Sequence, residues 1–359
     1  MVEDPDDLVV HHPLQPFAAA NFTDQLIPAQ KQPFSFDQRS CDAAIAAAAP
    51  ALAAPRLSSV EIDEPPVDEV SLTELIAFFR SPAKAFLTQR LEIGLPQDEG
   101  QVEDAMAVEL DSLAEWKIGE QMLAELLAGR SRDQACNLAW RTGALPPGQL
   151  GWSKITQVVD AAVPVAAEVR RLRADQPPAT LDVRLDLPSG TTLVGTLTDI
   201  YGSNMVTGSY SKLKEKAWPQ VWINHLAAAV AAPEAQIRSG KIGRSSGSGQ
   251  SSASWVSWAP IEDVDLARRQ LDLMVSLHRL GMSKPLVLPL TPALVWARYA
   301  HTAAVQGRAA REWTGSDKFP GDIAAPEYSL IWGRRLSFDE LLEINPDFGD
   351  QAVDLWQPM

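Results

Sequence analysis

At residue 181 the apolar residues of this chain change period, and that change restricts the fold more than any other feature. Leu181, Val183, Leu185 and Leu187 alternate with polar neighbours, Pro188-Ser189-Gly190 supplies a turn, and Thr192 to Ile200 returns as a second strand. Asn204 to Tyr210 supplies a third strand, and Trp218 to Ala231 reads as a helix. An all-helical or all-strand fold cannot carry this order.

Upstream, the period is helical. Ser71-Leu72-Thr73-Glu74 has the spacing of a capping box, and Leu72, Leu75, Ile76 and Phe79 share one face of the helix it opens. Ser81-Pro82 reads as a second N-cap with a first-turn proline, turning Phe86, Leu87 and Leu91 inward. Residues 104–129 carry a longer helical pattern ending at Gly129, and two more helices are expected over about 131–142 and 152–173. Downstream, residues 239–254 hold eleven serines and glycines and read as a flexible surface loop. Trp255 to Trp258 then reads as a strand, and helices are expected over about 262–280 and 292–309. Ser337-Phe338-Asp339-Glu340 caps a last one. The fold class is mixed α/β, with a small central sheet flanked by helices.

The first 66 residues differ in kind. Prolines at 28, 33, 50, 55, 65 and 66 interrupt them, and only Ala43 to Ala49 suits a short helix. They read as an extended arm, and the body as residues 67–359. The arm is also where the acidity concentrates. Residues 1–70 hold twelve acidic and three basic residues, leaving −6 of the net −15 for the rest. An autonomous duplex binder neutralises phosphates with a basic face, so strong DNA binding by the isolated chain is not expected.

Most enzyme signatures are missing. No GxxxxGK[ST] is present, so ATP hydrolysis is not expected. Cys41 and Cys136 lie far apart without a CxxC pair and read as small buried apolar side chains. His225, His278 and His301 fall at helical positions, and His11 and His12 lie in the arm; each reads as packed or solvated, not as a ligand. No stretch approaches the roughly 20 apolar residues of a membrane span, and the start is acidic where a secretory signal is basic, so a cytoplasmic location is expected.

An ordered set of segments carries a family resemblance. Ser71 to Leu91 (SLTELIAFFRSPAKAFLTQRL), Val194-Gly195-Thr196-Leu197-Thr198, Ser211-Lys212-Leu213-Lys214, Gln220-Val221-Trp222-Ile223-Asn224-His225-Leu226 and Gly281-Met282-Ser283-Lys284-Pro285-Leu286 together resemble RecC. The opening His12-Pro13-Leu14-Gln15-Pro16-Phe17 resembles that family's junction between its helicase-like part and its C-terminal domain. The resemblance covers nearly all of the chain, but only the last third of the far longer family members.

The resemblance implies a restriction-endonuclease-like PD-(D/E)XK core with helical insertions and with its catalysis lost. Active relatives place an aspartate on one strand and an acid-x-lysine on the next, because two carboxylates hold Mg²⁺ and lysine stabilises charge at the attacked phosphate. The first acid is expected three residues after Gly195, at Thr198, and the acid-x-lysine at Thr207-Gly208-Ser209. Hydroxyls are weak substitutes at a hard cation, so Thr198, Thr207 and Ser209 read as vacated positions, with no metal and no cofactor expected. Gln220 stands where active relatives have the glutamine of Q-x-x-x-Y, and Asn224 replaces the tyrosine. Asp199 lies one residue from the expected acid and, by strand alternation, is expected on the opposite face unless a bulge intervenes. A literal acid-x-lysine, Glu115-Trp116-Lys117, falls in a predicted helix whose i and i+2 positions diverge.

The function implied is that of a non-catalytic part of the RecBCD helicase-nuclease (exodeoxyribonuclease V). This part docks the RecB and RecD subunits and guides or splits double-stranded and forked DNA in double-strand break repair by homologous recombination. Lys212, Lys214, Lys216, Arg238, Lys241 and Arg244 are its candidate phosphate contacts. An active Mg²⁺-dependent nuclease and a pure protein-interaction module remain as alternatives. Trp218, Trp222, Trp255 and Trp258 are expected mostly in the core, and any that is exposed points to a protein interface.

Overall fold

The structure, a computed structural model, describes residues 11–24, 26, 32–49, 57–63, 68–95, 111–245, 252–316 and 319–359. It divides into two units, Met1–Pro55 and Arg56–Met359.

In the first unit, α1 (Gln38–Ala48) begins five residues before the expected Ala43, because the Asp37 carboxylate caps it by accepting from the Ser40 N–H. A 3₁₀ turn, Ala19–Phe22, precedes it, and the buried Asn21 amide donates to the carbonyls of Gln15 and Pro16. The described part of the arm is thus folded locally and is not simply extended.

In the second unit, β1 (Glu69–Ser71) leads into α2 (Leu72–Arg80), and the capping box forms: the Ser71 hydroxyl accepts from the Glu74 N–H, and Glu74 accepts from the Ser71 N–H. Ser81 then caps α3 (Pro82–Ala85), which continues into a π-type turn, Phe86–Arg90. Three helices follow, α4 (Ser112–Leu127), α5 (Arg132–Arg141) and α6 (Gly148–Arg173). Residues 104–110 of the expected long helix lie outside the described residues.

The expected hairpin is present as β2 (Pro178–Asp186) and β3 (Thr192–Tyr201). Next come β4 (Asn204–Lys212) and α7 (Trp218–Ala231), then β5 (Arg238–Arg244) and β6 (Ala253–Trp258). β5 corrects the reading of 239–254 as a flexible loop. Its serines and glycines fit a crowded strand: Ser239 is fully buried and bonded to His225, and a Cβ on Gly243 would lie 2.7 Å from the Ser211 carbonyl oxygen. Residues 246–251 lie outside the described residues.

The rest is helical. α8 (Val264–Ser283) matches expectation, but the single helix expected over 292–309 is two, α9 (Leu290–Tyr299) and α10 (Val305–Thr314). Thr302 ends the first by giving both its N–H and its hydroxyl to the Tyr299 carbonyl, closing a turn. Three short helices complete the chain, α11 (Pro326–Trp332), α12 (Phe338–Ile344) and α13 (Phe348–Trp356). No helix among the described residues is long and apolar enough to cross a membrane.

The six strands form one mixed sheet ordered β1-β3-β4-β5-β6, with β2 also paired to β3. β1 with β3 and β4 with β5 are parallel; the other pairs are antiparallel. Val206, Tyr210 and Ile242 pack against α4, α5 and α6, whereas Leu193, Leu197 and Met205 pack into a larger core with α2, α7 and α8. Helices therefore cover both faces of the sheet. Gly195 lets α2 close on β3, since a Cβ there would lie 2.9 Å from Leu72 Cδ1.

Candidate functional site

The sheet opens in its middle for a reason visible in the pairing. β2 bonds one edge of β3 from Thr192 to Tyr201, so β1 at Thr192–Val194 and β4 at Ile200–Tyr201 must share the other edge. Between them, among the described residues, Gly195 to Asp199 has no strand neighbour on that side. A cleft of about 170 Å³ fills the gap, lined by Thr198 and Asp199 of β3, Thr207 of β4, Gln220 and Asn224 of α7, and Lys241 of β5.

Asp199 corrects the expectation from alternation. Ala179 pairs with Ile200 and Leu181 with Leu197, so Thr198 and Asp199 together face the single residue Thr180 in a β-bulge, and Asp199 takes φ +60°. The extra residue cancels the alternation, and both residues line the cleft. The Thr198 hydroxyl donates to Asp199 Oδ2 at 3.2 Å, and Arg173 of α6 lies 3.7 Å from Oδ1. The carboxylate is thus engaged on both oxygens.

Of the three positions expected to be vacated, Thr198 and Thr207 line one cleft and Ser209 does not. Ser209 donates to Glu120 Oε1 of α4 at 2.6 Å, and the Tyr210 N–H donates to the same oxygen at 3.0 Å. Glu115-Trp116-Lys117 lies on α4, as its helical reading requires. An ion pair with Lys154 at 2.7 Å holds the Glu115 carboxyl below its ordinary pKa. Among the described residues no three His, Cys, Asp or Glu side chains group to hold a metal ion.

The candidate phosphate contacts separate into two groups. Lys212, Lys214, Lys216 and Arg238 are exposed, and Lys212 is the last residue of β4, not part of the segment after it. Arg244 is turned inward: its guanidinium stacks 3.8 Å from the centre of the Tyr210 ring and donates to the Tyr210 carbonyl. Lys241 is half-buried beside Thr207, its strand neighbour, and burial lowers its pKa, helped by the charge of Arg80 and opposed by Glu120. Arg80, which sequence reasoning did not single out, donates at 2.6 Å to Oε1 of Gln220, a residue of the cleft lining. Its only signal was its place at the end of a capped helix.

The histidines and cysteines largely follow expectation. His225 is packed between the Ser239 hydroxyl at 2.7 Å and the Ala259 carbonyl at 3.0 Å, and its burial lowers its pKa. His278 is buried too, whereas His301 is exposed. Cys136 is buried, and Cys41 is only half-buried. Trp222 and Trp258 are in the core, and Trp255 is 54% exposed.

Residues 67–301 match the RecC C-terminal domain. The chain belongs to the RecC family. The RecBCD enzyme subunit RecC of Mycobacterium tuberculosis strain H37Rv is 34% identical over 364 residues, covering 98% of this chain and 32% of that protein. The RecBCD enzyme subunit RecC of Mycolicibacterium smegmatis is 34% identical over 338 residues, 94% of this chain and 30% of that protein. The chain thus spans about a third of the length of these RecC relatives. The match takes in both the cleft and the exposed lysines.

Proposed function

We propose that this chain acts as the C-terminal part of a RecC subunit in a cytoplasmic RecBCD helicase-nuclease. There it docks RecB and RecD and guides or splits DNA without cutting it, in double-strand break repair by homologous recombination. The likeness to RecC over nearly the whole chain carries this reading. Residues 67–359 then form an inactivated PD-(D/E)XK-like domain and residues 1–66 its connecting arm. In support, the cleft presents hydroxyls at Thr198 and Thr207, and its lining carboxylate, Asp199, is drawn to Arg173. Two carboxylates on one cation are what metal-assisted phosphodiester cleavage requires.

DNA contact falls to the exposed Lys212, Lys214 and Lys216, at the end of β4 and just beyond it. Crosslinking forked DNA to the assembled complex is expected to give adducts within residues 207–216 that weaken when the three lysines become glutamines. A complex that unwinds DNA but gives no adduct there would remove the DNA-guiding role and leave a protein-interaction module, a reading to which the exposed Trp255 also lends itself.

One observation favours a second reading, an active nuclease: at the bulge Asp199 joins the lining of the cleft that Lys241 also lines. Purified chain with Mg²⁺ or Mn²⁺ is expected to leave linear and forked DNA intact. Cleavage that Asp199→Ala abolishes would establish the active nuclease instead.

A further inference from the structure

The cleft carries a positive charge, Lys241, that the fold sets apart from the exposed Lys212, Lys214 and Lys216. Lys241 stands beside Thr207 at the base of the cleft, and among the described residues its ammonium has no hydrogen-bond or ion-pair partner. The one carboxylate that acts on it electrostatically, Glu120, already accepts from Ser209 and from the Tyr210 N–H. Arg80, outside the lining, is a second cation close by, bonded to the neutral Gln220 and acting electrostatically on Lys241. Gln220 lines the cleft and accepts through Oε1, which leaves its amide NH₂ as a donor. The hydroxyl of Thr207 and the amide of Asn224 add neutral donors.

Partly buried positive charge surrounded by N–H and O–H donors is the arrangement that holds a tetrahedral oxyanion. A divalent cation needs the reverse, several oxygen ligands with negative charge among them. The nearest such ligand, Asp199, is occupied by Thr198 and Arg173. The space of about 170 Å³ accommodates a phosphate and water. We propose that the cleft is a phosphate-binding pocket, with Lys241 as the charge partner and Thr207, Asn224 and Gln220 as neutral donors. This goes beyond the proposed function and stands on the cleft's own geometry.

Calorimetric titration of the whole chain tests it, with inorganic phosphate and with a short oligothymidylate that carries or lacks a terminal phosphate. Phosphate is expected to bind at one site. Lys241→Met, which keeps the side-chain length, is expected to weaken it about tenfold or more, as the loss of a charge-assisted hydrogen bond implies. Thr207→Val and Arg80→Ala are expected to weaken it by smaller factors, and they decide the matter if Lys241→Met fails to fold.

Preference for the phosphorylated oligonucleotide identifies a strand end as the source. Equal binding of both oligonucleotides, each weakened by Lys241→Met, identifies the backbone diester. Binding of inorganic phosphate alone identifies a free anion; the pocket then stands, and the DNA-guiding reading loses support. Absence of saturable binding, or equal binding by the parent and all folded variants, overturns the pocket. Lysine crosslinks within 207–216 can still form in that case, so the two proposals fail separately.

Discussion

Gly119→Ala is expected to destabilise the protein by about 2 kcal/mol, although alanine is the better helix former. Gly119 lies in α4 against the ring of Tyr210, and a Cβ there would lie 2.1 Å from Cδ1 and 2.4 Å from Cε1 and Cγ. The ring has nowhere to go: it is fully buried, Arg244 lies 3.8 Å over its centre, and its hydroxyl reaches Glu115 at 3.4 Å. Burial pushes its pKa up to about 12, so relief by ionisation is closed at any ordinary pH. Overpacking of this kind costs up to about 3 kcal/mol, and the gain in helix propensity offsets about 1 kcal/mol of that. Chemical denaturation should show a lower midpoint with an unchanged slope. The double variant Gly119→Ala/Tyr210→Leu should recover part of the loss. A single variant as stable as its parent would mean that α4 does not sit on β4 as described.

The second large effect is acid destabilisation through His278. The ring is buried, meets Phe78 edge-on at 5.1 Å, and has no hydrogen-bond partner on either nitrogen among the described residues. Burial lowers its pKa from 6.5 to about 4, against a smaller upward pull from Glu74. Below pH 6.5 the unfolded chain takes up a proton that the folded chain refuses until about pH 4, so stability falls across that window and the loss levels off below it. The shift corresponds to about 3 kcal/mol. Since the carboxylates titrate nearby, the readout is the difference between wild type and His278→Leu. That difference should widen in favour of the variant as the pH drops from 6.5 to about 4. Parallel pH profiles would exclude His278 as the source.

Elements whose signal is local were legible in the sequence. The capping boxes at Ser71 and Ser337, the hairpin around Pro188-Ser189-Gly190 and the helix Trp218–Ala231 need only neighbours in the chain to form. β5 was illegible because its serines and glycines are chosen by a crowded interior, and the same composition also suits a solvated loop. The break between α9 and α10 hinges on one threonine closing a turn, which periodicity does not register.

The candidate site was half legible. Thr198 and Thr207 were placed by strand counting and do line one cleft, but Ser209 answers to Glu120, 89 residues away on another element. Lys241 was marked as a candidate phosphate contact, but its place in the cleft, and the bond of Arg80 to the cleft residue Gln220, come from tertiary packing that no local pattern shows.

The bulge at Thr198 and Asp199 acts on β3 as a half-period slip. Leu193 and Leu197, odd-numbered, and Ile200, even-numbered, all point into the same core. A motif counted along β3 therefore changes parity at residue 199. Spacings carried over from a strand without the slip assign each later residue to the wrong side of the sheet, whereas deleting one of the two bulge residues would restore simple alternation and leave Ile200 opposite Ala179, still facing the core.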